Sequence, residues 1–158
     1  MVVYYSWKLH TKAYAQELAS ITNDSIFPLE EKSPRKGIIG WIKGGYQGLT
    51  KNHIEVKSLP VISAEKEIYI CSPVWASDIT PAVRYFIKRM SLKGKRVNFL
   101  LTCANIEGQD KYKKNALDAL SGKGCKPGPV LVFATGGGEA PDSQTIRRQL
   151  EDMLPQPL

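Results

Sequence analysis

Polar side chains suited to binding an anion follow the first apolar run of the chain. Residues 2–5 have the composition of a buried strand, and a helical pattern begins near Thr11, so a short strand-to-helix turn joins the two. That turn contains Ser6, Lys8 and His10. Free backbone N–H groups and the helix dipole favour an anion at such a turn, and the hydroxyls and the lysine add donors for a phosphate. The spacing predicts a phosphate site; in the alternative, Thr11 only caps the helix and Lys8 is solvated.

Two more segments follow predicted strands and would lie at the same edge of a parallel sheet. They are Ser72-Pro73-Val74-Trp75-Ala76-Ser77 and Cys103-Ala104-Asn105-Ile106-Glu107-Gly108. Open parallel sheets bind ligands beyond the carboxyl ends of their strands, where the strand order reverses. Trp75 offers a flat ring for stacking on a planar ligand, although a single tryptophan is often a core residue.

The elements that must position these residues alternate between strand and helix. Strands are predicted at 2–5, 25–27, 67–71, 97–103 and 130–133, and helices from about 11, from 81 to about 94, around 112–120 and at 143–153. The second helix opens with Thr80 as a capping hydroxyl and Pro81 at its first position, and Asp142 with Ser143 caps the last. This alternation predicts an α/β protein, a three-layer αβα sandwich around a five-stranded parallel sheet.

Composition limits the class of protein. The chain has 158 residues, of which 42% are hydrophobic and 23% charged, which predicts a single globular domain over 1–158. No apolar run approaches the roughly 18 residues of a membrane-spanning helix, and the first residues lack the features of a signal peptide, so we expect no membrane association and a cytoplasmic location. Three cysteines form no metal-binding spacing; Cys71 and Cys103 are expected to be buried thiols, with a redox-active pair as the alternative.

The net charge of the chain indicates what kind of molecule it could bind. The formal net charge is +7, and a basic rim of Lys32, Arg35, Lys36, Lys43 and Lys51 accompanies a stripe of glycines at positions 40, 44 and 48. We therefore expect an acidic protein partner. No recognition helix or aromatic and basic strand face indicates nucleic acid, and a homodimer is left open.

Taken together, these segments resemble the flavodoxin-like family. Val2-Val3-Tyr4-Tyr5-Ser6 followed by Thr11 is similar to the family's first strand and phosphate loop. The segment from Ile70 to Pro81 resembles its second cofactor loop, with a Pro-x-Trp pattern. Lys93-Gly94-Lys95-Arg96-Val97 is similar to the family's Lys-Gly-Lys-x-Val before a strand. The resemblance implies the strand order 2-1-3-4-5, with FMN at the switch point, as the rule used above describes for flavodoxin.

If the family's site carries over, Ser6, Lys8, His10 and Thr11 hold the FMN phosphate. The isoalloxazine ring would then be lined by Pro73, Val74, Trp75 and Ala76, with Trp75 stacking, and its pyrimidine side approached by Cys103, Ala104 and Asn105. The flavin would supply the redox chemistry, and the protein would place it and tune its surroundings.

The chain departs from the family at the phosphate loop, where Lys8-Leu9-His10 replaces the usual Thr-Gly-Asn. The resemblance implies an FMN-binding electron carrier or a small FMN-dependent oxidoreductase, and the positive net charge of this chain favours an acidic redox partner. The alternative is a flavodoxin fold that has lost FMN and serves as a protein-binding or regulatory module.

Overall fold

The structure, a computed structural model, describes residues 1–32, 54–136 and 138–154. Its elements in chain order are β1 (Val2–Tyr4), α1 (His10–Thr22), β2 (Ile26–Pro28), β3 (Glu67–Trp75), β4 (Asp78–Ile79), α2 (Pro81–Arg89), β5 (Arg96–Cys103), α3 (Gln109–Asp118), β6 (Lys126–Ala134) and α4 (Ser143–Met153). The glycine stripe and the basic rim lie outside the described residues, apart from Lys32, which pairs with Glu55 at 2.6 Å.

Five of the strands form a parallel sheet in the order β2-β1-β3-β5-β6. Because β5 and β6 are the fourth and fifth parallel strands along the chain, this is the predicted order 2-1-3-4-5, and the α/β class is confirmed. The sequence prediction missed β4, which pairs with the end of β3 in antiparallel orientation. It also ended the third strand at Cys71, whereas β3 continues to Trp75.

Alternate residues of each strand enter two separate cores, as the period of two in a strand requires. Val3, Ile70 and Leu101 pack on one face, and their sequence neighbours Val2, Cys71 and Leu100 pack on the other. The first core includes Phe86 and Ile87 from α2 and Ala116 from α3, and the second includes Tyr14 and Leu18 from α1 and Ile146 and Leu150 from α4. Both faces of the sheet are therefore covered by helices, which confirms the three-layer sandwich.

The start of α2 agrees with the sequence prediction for one residue and differs for another. Pro81 is the first residue of α2, as predicted, but the Thr80 hydroxyl makes no capping hydrogen bond. It lies instead 3.3 Å from the buried Ser72 hydroxyl, which also accepts the Thr80 N–H at 3.1 Å. The prediction of a capping hydroxyl was wrong because the chain turns Thr80 toward the sheet rather than along the helix.

None of the helices in the described ranges has the length and apolar character needed to span a bilayer. The described residues also contain no group of three or more His, Cys, Asp or Glu side chains placed to hold a metal ion.

Asp142 caps α4, as predicted, and gives a test of the fold. Its carboxylate accepts the Thr145 N–H at 3.0 Å, and this bond holds the pKa of Asp142 below its ordinary value of 3.8. The stabilisation is therefore present above that pH and is lost as the pH falls through the lowered pKa. We expect Asp142→Ala to lower the thermal unfolding midpoint at neutral pH, with a smaller difference in strong acid. Asp142→Asn, which keeps a capping oxygen, is the control; an equal difference at both pH values would contradict this account.

Candidate functional site

The candidate site lies at the carboxyl edge of the parallel sheet, between β1 and β3. From this pair the strand order runs outward in opposite directions, to β2 on one side and to β5 and β6 on the other. The loops after β1, β3 and β5 all leave from this edge. The loops after β1 and β3 are therefore at the switch point where such sheets bind ligands, and the loop after β5 lies beside it.

The loop after β1 presents backbone donors at the start of α1. The N–H groups of Trp7, Lys8, Leu9 and Thr11 have no acceptor among the described residues. The Ser6 hydroxyl oxygen accepts the Lys12 N–H at 3.2 Å, which leaves its own proton free to donate. Unpaired N–H groups at the start of a long helix are the arrangement that attracts a phosphate.

The side chains of this loop point in different directions. The Thr11 hydroxyl is buried and lies 2.7 Å from the Thr102 hydroxyl of β5, so it faces the sheet and makes no helix cap. The Lys8 side chain is exposed. Leu9, which stands where the family has glycine, is 70% exposed, so its side chain extends into solvent rather than into the loop.

His10 connects the first loop to the segment after β6. Its Nε2 lies 2.7 Å from the Gly138 carbonyl oxygen, and its Nδ1 lies 3.1 Å from the Thr135 hydroxyl. A carbonyl oxygen only accepts, so Nε2 carries a proton. Both ring nitrogens are thus engaged by the segment after β6, and His10 is placed to position that segment.

The loop after β3 is a tight two-residue hairpin. Trp75 pairs with Asp78, and the connecting residues Ala76 and Ser77 have φ angles of 49° and 68°. Two left-handed residues suit the twist of a hairpin, but the usual choices are Asn and Gly. The Ser77 carbonyl oxygen accepts a hydrogen bond from the Asn115 side chain of α3 at 2.8 Å, so α3 holds this turn in place.

Three aromatic rings meet where the first two loops come together. The Trp75 ring lies 5.7 Å from Tyr5 at an interplanar angle of 89°, and 6.4 Å from Trp7 at 69°. Trp7 is 43% exposed, and Trp75 is partly exposed. Trp75 thus makes two edge-to-face contacts and is also accessible. The sequence analysis missed Trp7, although it directly follows Ser6.

The loop after β5 is joined to the loop after β6 through its carbonyl groups. The Cys103 carbonyl oxygen accepts the Thr135 N–H at 2.8 Å and the Thr135 hydroxyl at 3.2 Å, and the Ala104 carbonyl oxygen accepts the Gly136 N–H at 3.2 Å. Asn105 is exposed. Of the three residues predicted to approach a flavin, Cys103 is buried and Ala104 is also exposed, so Asn105 is the one that offers a polar side chain to a ligand.

The cysteines do not form a redox pair. Both are buried and free, and burial raises the pKa of both thiols. Cys71 is paired with Leu100, three residues before Cys103, and the two thiols belong to cores on opposite faces of the sheet. The interpretation as buried structural thiols is confirmed.

Comparisons with known proteins support the same architecture. No protein-family model matches the sequence, and no curated protein matches it. Among solved structures, a candidate flavoprotein from Bacteroides uniformis has a TM-score of 0.74 at 17% identity, with 96% of each chain covered. A flavoprotein from Lactobacillus acidophilus, solved in complex with FMN, has a TM-score of 0.67 at 18% identity, covering 83% of this chain and 90% of its own.

Flavodoxin 1 from Bacillus cereus has a TM-score of 0.58 at 12% identity, with 96% of this chain and 91% of the flavodoxin covered. At sequence identities this low, the structural similarity establishes the fold alone. The chain therefore has the flavodoxin-like fold, and the resemblance seen in the sequence is confirmed at that level.

The hairpin turn gives a direct test of the local geometry. A left-handed backbone costs a residue with a Cβ about 1–2 kcal/mol, and glycine avoids this cost at an entropic loss of roughly 0.5–1 kcal/mol. We therefore expect Ala76→Gly to leave the free energy of unfolding unchanged or to raise it by up to about 1 kcal/mol in denaturant unfolding. The matched control is Ala134→Gly at the exposed end of β6, which should destabilise. Equal destabilisation by both substitutions would contradict the assigned turn.

Proposed function

We propose that this protein binds FMN at the switch point and acts as a flavodoxin-like redox protein, either an electron carrier or a small FMN-dependent oxidoreductase. The observation that carries the proposal is the combination of unpaired N–H groups at the start of α1 with accessible indole rings beside them. The N–H groups suit a phosphate, and the indole rings suit a flat ring system. FMN contains both in one molecule.

The residues present fit the phosphate of FMN. The N–H groups of Lys8, Leu9 and Thr11 and the Ser6 hydroxyl proton would donate to its oxygens, and the Lys8 ammonium would add a positive charge. The Leu9 side chain leaves the loop interior clear because it extends into solvent. His10 contributes indirectly, because both of its ring nitrogens are already bonded to the loop after β6.

The residues around the hairpin fit the ring system. The indoles of Trp75 and Trp7 supply apolar surface that excludes water from one side of a flavin, and the Pro73-Val74 backbone continues that wall. Asn105 would offer its amide to the polar pyrimidine edge, in company with the backbone of Cys103 and Ala104. The turn at Ala76 and Ser77, fixed by Asn115, keeps the Trp75 backbone in position before any ligand binds.

When bound, FMN supplies the capacity to accept and donate electrons, and the protein contributes binding, orientation and exclusion of water. No side chain at this site is assigned the role of acid or base. The test is a titration of the purified apo-protein with FMN, followed by quenching of flavin fluorescence. Saturable quenching at micromolar or tighter affinity is expected, whereas no binding by folded protein would overturn the proposal and leave the fold as a scaffold for protein binding.

Trp75 should account for much of the ring binding. Stacking on an aromatic side chain is worth about 1–3 kcal/mol, so we expect Trp75→Ala to weaken FMN roughly tenfold or more and to restore the fluorescence of bound flavin. Tyr85→Ala on α2 removes a partly exposed ring that belongs to none of the three loops and serves as control. Unchanged affinity and quenching in Trp75→Ala would remove the stacking role.

Lys8 should act on the phosphate alone. Lys8→Ala is expected to weaken FMN much more than riboflavin, which has the same ring system and no phosphate. Lys66→Ala, an exposed lysine just before β3, is the matched control and should change neither affinity. Equal losses for FMN and riboflavin would show that Lys8 does not contact the phosphate.

A further inference from the structure

The positive charge of the chain is concentrated in one stretch. Residues 81–126 contain eleven basic residues (Lys or Arg) and three acidic residues (Asp or Glu). The rest of the chain contains eleven basic and twelve acidic residues. The stretch builds α2, β5, α3 and the turn that leads to β6. Since α2 and α3 cover the same face of the sheet, this face carries the excess charge.

Two cations on this face have no carboxylate partner in the part of the chain that the structure describes. Arg84 pairs with Asp78, and Lys114 with Asp118, but no carboxylate of a described residue lies within ion-pair distance of Lys88 or Lys123. The opposite layer is more balanced: Arg147 of α4 lies within 4 Å of both Glu17 and Glu151. An unbalanced face of one sign steers and holds partners of the other sign.

The unpaired cations border a groove between α2 and the end of α3, with a volume of about 390 Å³. It is lined by Arg84, Ile87, Lys88, Ala119, Ser121 and Lys123. Lys123 reaches across to α2, where its ammonium donates to the Lys88 carbonyl oxygen at 3.1 Å. The groove is at the small end of the range of ligand pockets, so it suits a few side chains of a partner.

The end of the groove at Lys88 and Lys123 lies away from the proposed flavin site, whereas Arg84 at the other end pairs with Asp78 of the hairpin. Lys123 lies in the turn that precedes β6 and is thus at the amino edge of the sheet, whereas the flavin loops leave from the carboxyl edge. A strand of nine residues such as β6 separates the two edges by about 30 Å. A segment bound at Lys88 and Lys123 would leave the flavin loops open.

We propose that this groove docks an acidic segment of a partner protein. Carboxylates of the segment meet Lys88 and Lys123 on the rim, and an apolar side chain rests against Ile87 and Ala119 in the floor. A nucleic acid is the less suitable occupant, because single strands are bound by stacking on aromatic side chains and the described lining contains none. The proposal does not depend on FMN, since the two sites share no residue.

The test uses fluorescence anisotropy of a short labelled peptide in which glutamates are interrupted by leucine. We expect Lys88→Glu and Lys123→Glu each to weaken binding about tenfold, a change of about 1.4 kcal/mol. Arg148→Glu on the opposite face makes the same change in net charge and should alter binding less than about twofold. Lys88→Met removes the charge but keeps the aliphatic stem, so a loss in this variant identifies charge rather than misfolding as the cause. FMN affinity should be unaffected in all four variants.

Three results would overturn the proposal. Equal weakening by Arg148→Glu and Lys123→Glu would show attraction by net charge alone. Duplex DNA that binds through the same lysines and displaces the peptide would assign the groove to nucleic acid. A concentration-dependent dimer that Lys123→Glu dissociates would show a second copy of the chain in the groove.

Discussion

The candidate site depends on the parallel pairing of β1 with β3. Val2, Val3 and Tyr4 pair with Tyr69, Ile70 and Cys71, and the Tyr5 N–H extends the ladder to the Cys71 carbonyl at 3.0 Å. β1 is only three residues long, yet it lies between β2 and β3, and its two valines are fully buried in opposite cores. This pairing places the loop after Tyr5 beside the end of β3, and therefore the unpaired N–H groups beside Trp75. A change of register would separate them.

Loops at the carboxyl edge are held by residues that are far apart in sequence. His10 bonds to the segment after β6, Thr135 bonds to the Cys103 carbonyl, and Asn115 bonds to Ser77. These contacts fix the loops before any ligand arrives, which lowers the ordering cost that binding would otherwise carry. The same rigidity explains how two non-glycine residues remain in left-handed conformations at the hairpin, because the surrounding structure determines them.

The strands, their order and the three layers could be predicted because they follow from local patterns. The apolar runs and the helical spacing of residues such as Val83, Phe86 and Ile87 needed no tertiary information. The antiparallel strand β4 was missed because its turn contains Ala76 and Ser77, and neither residue signals a left-handed backbone. The partners of His10 are separated from it by more than a hundred residues, so no local pattern could identify them. For Thr11 and Thr80 the residue type predicted a hydroxyl role, but only the packing determines which way each hydroxyl points.

The central claim is that the first loop binds a phosphate with its backbone while the adjacent indoles bind a ring. It is tested most directly by following the backbone amide signals of the ¹⁵N-labelled apo-protein by NMR during addition of FMN. The account predicts that the amides of Lys8, Leu9 and Thr11 and the indole N–H signals of Trp7 and Trp75 show the largest shifts. With riboflavin the indole shifts should remain and those of the loop amides should diminish. Largest shifts in the groove between α2 and α3, or no shifts at saturating FMN, would contradict it.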